Sequence, residues 1–129
     1  MRRLLSVEGA CRPDEVWDRY VRPERWHEWS PQIQGVETAD ATLRAGTTGI
    51  VHGPAGLRVR FTVSEVEGDP PVRSWSWRAT ALGVPLRLHH TVEPAGSGTR
   101  TTLSIEGAAP TVTLYAPIAR LALERLVRP

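Results

Sequence analysis

The sequence predicts an α+β fold in which a curved antiparallel sheet of about seven strands wraps around one long C-terminal helix, with two short helices after the first strand. Three observations predict it. From Ile33 to the stretch before Pro110 the apolar residues recur with a period of two, interrupted by short Gly, Pro and Asp turns, as in an antiparallel meander. Ahead of that stretch stand one strand-like run and two helix starts. Beyond Pro110 the period becomes helical, with one broad apolar side. A sheet in a chain of 129 residues can bury only one face, and the last helix is the one element long enough to fill it.

Each element has its own signal. Residues 3–9 alternate loosely and end at Gly9, placing Leu5 and Val7 on one face and Ser6 and Glu8 on the other. Pro13-Asp14-Glu15 opens a helix, since proline suits the first turn and early acids suit the helix dipole; Val16, Trp17, Tyr20 and Val21 supply its apolar stripe. A second short helix runs over 23–29 and stops before Pro31. The strands that follow are expected at 34–38, 47–52, 57–66, 72–80, 84–92 and 99–107. Gly53-Pro54-Ala55-Gly56, Gly68-Asp69-Pro70-Pro71 and Gly96-Ser97-Gly98 are turn chemistry between neighbours. In the closing helix Leu114, Tyr115, Ile118, Leu121, Ala122, Leu123 and Leu126 form the apolar face. Pro117 removes a backbone donor there, so a kink or a start later than Pro110 is expected.

Composition narrows the function. The length suits one domain, 1–129, able to bury a core without disulfides or a structural metal. Cys11 is the only cysteine, which fits a reducing, cytoplasmic setting and an inert thiol. All 16 basic residues are Arg, opposed by 14 acids, for a net charge of +2. That imbalance is too small to drive nucleic-acid binding. The replacement of Lys by Arg, with abundant Ala and Gly, points to a GC-rich bacterial genome. Two leucines followed by Ser6, Glu8 and Gly9 make neither a signal peptide nor a membrane span.

Three stretches resemble the START-like (SRPBCC) superfamily, and within it the polyketide cyclase/dehydrase type. Asp14-Glu15-Val16-Trp17 through Pro23-Glu24-Arg25-Trp26-His27-Glu28-Trp29-Ser30-Pro31 resembles its helix pair ending in Trp-x-x-Trp-x-Pro, with His27 where Pro is common. Ala45-Gly46-Thr47-Thr48-Gly49 resembles its glycine-framed third strand, and Ala116 through Leu126 its closing helix. The resemblance implies the helix-grip fold and a cavity between sheet and long helix that receives a small hydrophobic or aromatic molecule. It specifies no catalytic residue and no cofactor. Three functions remain open under it: a binding or carrier module, a cyclase, aromatase or dehydratase acting on a polyketide-like ligand, and a co-chaperone-like interaction module.

Alternation supplies candidate residues for that cavity. Leu57, Val59, Phe61 and Val63 share one face, Trp75 and Trp77 share one, and Leu86, Leu88, His90 and Val92 share one. Two adjacent inward indoles suit either a ligand wall or a filled core. His90 is the one ionisable group on its inward face and needs a hydrogen-bond partner; Tyr115 on the closing helix is a candidate, and the pair could bind a ligand carbonyl or move a proton. Trp26 and Trp29, three apart, act either as a core plug or as a gate. The expected ligand-binding set is therefore Trp29, Phe61, Trp75, Trp77, Leu88, His90, Tyr115, Ile118 and Ala122, with His90 and Tyr115 as the catalytic candidates.

Other motifs fail. His89 and His90 point to opposite faces and cannot share a metal. Glu24-x-x-His27 occurs once where a di-iron site needs two, and Pro31 stands where HExxH needs its second His. No metal is expected. Thr101 breaks GxGxxG after Gly96 and Gly98. Arg58, Arg60, Arg73, Arg78, Arg87 and Arg100 fall on the outer face or at strand ends, out of phase with the tryptophans, so RNA binding lacks its stacking platform. The expected partner is a small hydrophobic molecule, with no nucleic acid, no stable membrane insertion, and a monomer or homodimer.

Overall fold

The computed structural model describes residues 1–129. Its elements are β1 (Arg2–Gly9), α1 (Pro13–Val21), α2 (Trp26–Trp29), β2 (Gly35–Thr38), β3 (Thr48–His52), β4 (Arg58–Glu67), β5 (Arg73–Ala81), β6 (Val84–Ala95), β7 (Gly98–Gly107) and α3 (Ala109–Leu126). A 3-10 turn at Pro23–Arg25 leads into α2, and another at Pro54–Gly56 joins β3 to β4. The seven strands form one antiparallel sheet in the order β1-β7-β6-β5-β4-β3-β2. The meander from β2 to β7 thus follows the chain, and β1 completes it by pairing with β7, Leu5 opposite Leu103.

The helix pair is anchored by charge and by indoles. Arg25 donates to Glu15 at 2.8 Å, to Asp18 at 2.7 Å and to Glu28 at 3.1 Å, drawing α1 and α2 together. Trp26 Nε1 donates to the Tyr20 carbonyl at 2.8 Å and Trp29 Nε1 to that of Arg19 at 3.1 Å, so carbonyls near the end of α1 are satisfied by the next helix. Arg19 Nη1 donates to the carbonyls of Leu126 and Arg128 at 2.7 and 2.6 Å, tying α1 to the end of α3.

The closing helix departs from expectation in two ways. It begins at Ala109, with Pro110 in its first turn, and runs through Pro117 without a break. Its buried stripe is Val112, Ala116, Ala119, Ala122, Leu123 and Leu126, while Leu114, Ile118 and Leu121 are exposed. Weighting leucine and isoleucine over alanine put Leu114, Ile118 and Leu121 on the expected face, where the structure exposes them, while Ala122, Leu123 and Leu126 of that face are buried as expected. Three alanines at the centre of the true stripe let the helix lie close to its neighbours and occupy little of the space beneath it.

The sheet differs from expectation mainly in one strand. β4 contains a register shift: Val63 pairs with Trp77 but Glu65 with Ser76, which makes Ser64 an extra residue and turns Val66 inward. Strict alternation cannot show such a bulge. β6 also extends to Ala95, past the expected end at Val92. The glycine-framed strand has a physical reason at both ends. Gly46 has φ +92°, and a Cβ on Gly49 would lie 2.7 Å from Phe61 Cζ.

Candidate functional site

The concave face of the sheet and α3 enclose a cavity of about 360 Å³. Trp75, Leu88, His90, Leu103, Ala122 and Leu123 form its buried depth. Val84, Leu114 and Ile118 line it while being exposed themselves, and so mark its rim. Of the nine expected ligand-binding residues, the structure brings Trp29, Trp75, Trp77, Leu88, His90, Tyr115, Ile118 and Ala122 to this cavity. Phe61 is the exception. It lies in the core behind the wall, packed against Trp26 and Trp77 with ring centroids at 5.5 and 5.8 Å. Gln32, Ile33 and Val51 also line the cavity, from the loop after α2 and from β3, where the sequence carries no local signal of it.

Aromatic rings make up one wall. Trp75 and His90 are direct cross-strand neighbours on β5 and β6, and their rings stack at 4.5 Å with 7° between planes. Trp77 stacks on Trp75 at 5.4 Å and Trp26 on Trp75 at 5.9 Å. Trp26 and Trp29 are both buried, with their indole N–H groups engaged by α1. Trp75 Nε1 is buried without a partner.

His90 sits within a directional hydrogen-bond chain. Trp77 Nε1–H donates to His90 Nε2 at 3.0 Å, so Nε2 is an acceptor and Nδ1 carries the proton of the neutral ring. Nδ1–H then donates to the Tyr20 hydroxyl at 3.2 Å, Tyr20 donates to Thr101 Oγ1 at 2.6 Å, and Thr101 donates to the Thr91 carbonyl at 2.8 Å. Burial, and after it the charge of neighbouring His89, pushes His90 down to about 3. Burial pushes the Tyr20 phenol up. The partner of His90 is therefore Tyr20, not the expected Tyr115, and both ring nitrogens are occupied. Tyr20 was visible in the sequence only as part of the apolar stripe of α1.

Tyr115 lines the cavity independently, half-buried, and burial pushes its phenol up to about 12, so it is a neutral donor around neutral pH. No Asp, Glu or Arg side chain lines the cavity. No group of three or more His, Cys, Asp or Glu comes together as a metal site, and His89 and His90 lie on opposite faces. No helix is long and apolar enough to cross a membrane. Cys11 is buried, its N–H bonded to the Val127 carbonyl.

Residues 5–129 match the family model described as polyketide cyclase/dehydrase and lipid transport. No curated protein matches the chain in sequence. Among solved structures, the Bacillus cereus protein XoxI superposes with a TM-score of 0.78 at 17% identity, over 98% of this chain and 92% of its own. The hypothetical protein jhp0584 of Helicobacter pylori superposes with a TM-score of 0.78 at 15% identity, over 98% and 84%. A protein of the dynemicin biosynthetic locus gives 0.73 at 17% identity, over 98% of this chain and 45% of that one. At these identities the likeness is one of fold, the START-like helix grip.

Proposed function

The chain belongs to the polyketide cyclase/dehydrase and lipid transport family, and from that premise we propose that it binds a compact, uncharged, largely aromatic molecule in the cavity between sheet and α3. The absence of any acidic or arginine side chain from the cavity wall carries the reading. An ionised ligand would lose its hydration there with nothing to compensate it. A volume of about 360 Å³ is near the lower end of ligand pockets, roughly 300–1,000 Å³, which suits a molecule of a few fused rings better than a two-chain lipid. The hydroxyls of Tyr115 and Thr111 supply polar points for a ligand oxygen. Such a cavity also favours a ligand over a co-chaperone-like role, for which a filled core is the expectation.

N-phenyl-1-naphthylamine, an uncharged fluorescent probe, tests this. Saturable enhancement is expected for the wild type and a loss of it in Ala122→Trp, which fills the depth, and in Val84→Trp, which narrows the exposed rim at little risk to folding. A folded wild type without saturable enhancement, or equal binding by both folded variants, would overturn the reading. Native mass spectrometry after incubation with a hydrophobic cell extract would then name the natural ligand class.

A second reading, turnover of a polyketide-like ligand in the same cavity, draws support from Tyr115. Its phenol lines the cavity as a neutral acid, whereas His90 has no free nitrogen. Under that reading Tyr115→Phe abolishes turnover of a bound polyketide while leaving its affinity largely intact; unchanged turnover removes Tyr115 from the chemistry.

A further inference from the structure

The opposite, convex face of β5 and β6 carries an arrangement that packing does not explain. Arg78 and Arg87 are direct cross-strand partners, and like charges in that position destabilise a sheet. Two arginines of the sheet reach carboxylates, Arg73 meeting Asp14 at 2.6 Å and Arg100 meeting Glu93 at 3.0 Å and Glu8 at 3.3 Å. Arg2 donates to Ser104 Oγ at 3.1 Å, while Arg3, Arg58 and Arg60 stand unpaired without facing one another across strands. Arg78 and Arg87 make no ion pair, even though Glu106 stands opposite Arg87 in register.

Both guanidinium groups border a shallow depression of about 290 Å³ whose other polar walls are Ser64, Ser76, His89, Ser104 and Glu106. Ser76 Oγ and His89 Nδ1 lie 2.5 Å apart, which holds the imidazole against the strand. Ser64 reaches the depression as the extra residue of the β4 bulge, a device that re-aims a side chain at the expense of ladder pairing. Two unpaired arginines, three hydroxyls and one imidazole thus surround a hollow with a single carboxylate.

We propose that this depression is a binding site for a phosphoryl group. A tetrahedral dianion has enough oxygens to engage two guanidinium forks and hydroxyl donors together, whereas a carboxylate is satisfied by one fork. Binding would also relieve the Arg78–Arg87 repulsion. The site is separate from the cavity, although Trp77 and Leu88 belong to the walls of both.

Inorganic phosphate, titrated against the ¹⁵N-labelled protein at constant ionic strength, is the first probe. Saturable shifts confined to amides of β4, β5 and β6 are expected, with affinity roughly 10- to 100-fold weaker in the double variant R78Q/R87Q. That variant is expected to melt at the same temperature or higher and to bind N-phenyl-1-naphthylamine unchanged, which separates this site from the cavity reading. Non-saturable shifts in the wild type, or equal affinity in the double variant, overturn the proposal. Two further arms assign the source of the group: Arg78- and Arg87-dependent sedimentation with phosphatidylcholine vesicles containing phosphatidic acid indicates a lipid headgroup. Tighter binding of glucose 6-phosphate than of phosphate, without sedimentation, indicates a soluble phosphorylated metabolite.

Discussion

His90 is held neutral by enclosure, and its partners define the proton position. In the unfolded chain its imidazole takes up a proton around the ordinary value of 6.5, whereas in the folded chain it does so only near 3. Protonation therefore favours the unfolded state as pH falls, so this contribution to stability is complete above about 6.5 and is lost between there and 3. The loss amounts to about 1.4 kcal/mol per pH unit, or about 2 kcal/mol by pH 5. Urea denaturation at pH 7.5 and pH 5 checks this: His90→Leu is expected to be about 1–3 kcal/mol weaker at pH 7.5, because Trp77 and Tyr20 lose their partner, yet less sensitive to acid. Tyr20→Phe leaves His90 Nδ1–H and Thr101 without the phenol and is expected to lose a similar amount at pH 7.5. The inward direction of Trp75, Trp77 and His90 was legible in the strand alternation. The partner was not, because Tyr20 lies 70 residues away and meets His90 only once α1 packs under the sheet.

At the scale of elements, period and turn chemistry marked the strands and helices, but two departures were invisible to period alone. The Ser64 bulge breaks alternation by a single residue, and the buried stripe of α3 runs through alanines that a hydrophobicity pattern underweights. Pro117 lies exposed within that helix and removes one backbone donor. Pro117→Ala is expected to raise stability by about 1–3 kcal/mol in urea denaturation, since it restores a donor and removes a ring from a helix interior. In β3 the opposite holds for Gly49→Ala, whose new methyl would meet Phe61 and the Glu37 carbonyl. A loss of about 1–3 kcal/mol or more is expected there, with Phe61→Leu in the same chain recovering part of it.

For the molecule as a whole, element order sufficed to suggest a sheet wrapped around its last helix, whereas the cavity was legible only through the resemblance. Its size depends on what the side chains leave unfilled, and Ala119 and Ala122 of α3, both on its wall, fill little of it. A ligand that binds only the folded chain is expected to stabilise it by about 2.7 kcal/mol at one hundred times its Kd, which is roughly 8–10 °C in melting temperature for a chain of this length. Differential scanning fluorimetry with the probe tests this, and the Ala122→Trp variant is expected to show no rise.

The pairing of β1 with β7 has a bearing on how the chain comes to be folded. During synthesis β1 emerges first and has no neighbour in the sheet until nearly every other strand exists, and α1 cannot reach the carbonyls of Leu126 and Arg128 until after that. Closure therefore waits on contacts between the two extremes of the chain, which places refolding on the slower, millisecond-to-second side for a domain this small. Over that interval the open edge of β7 is a template for the first strand of another nascent copy, so crowded synthesis is where strand exchange between molecules would begin.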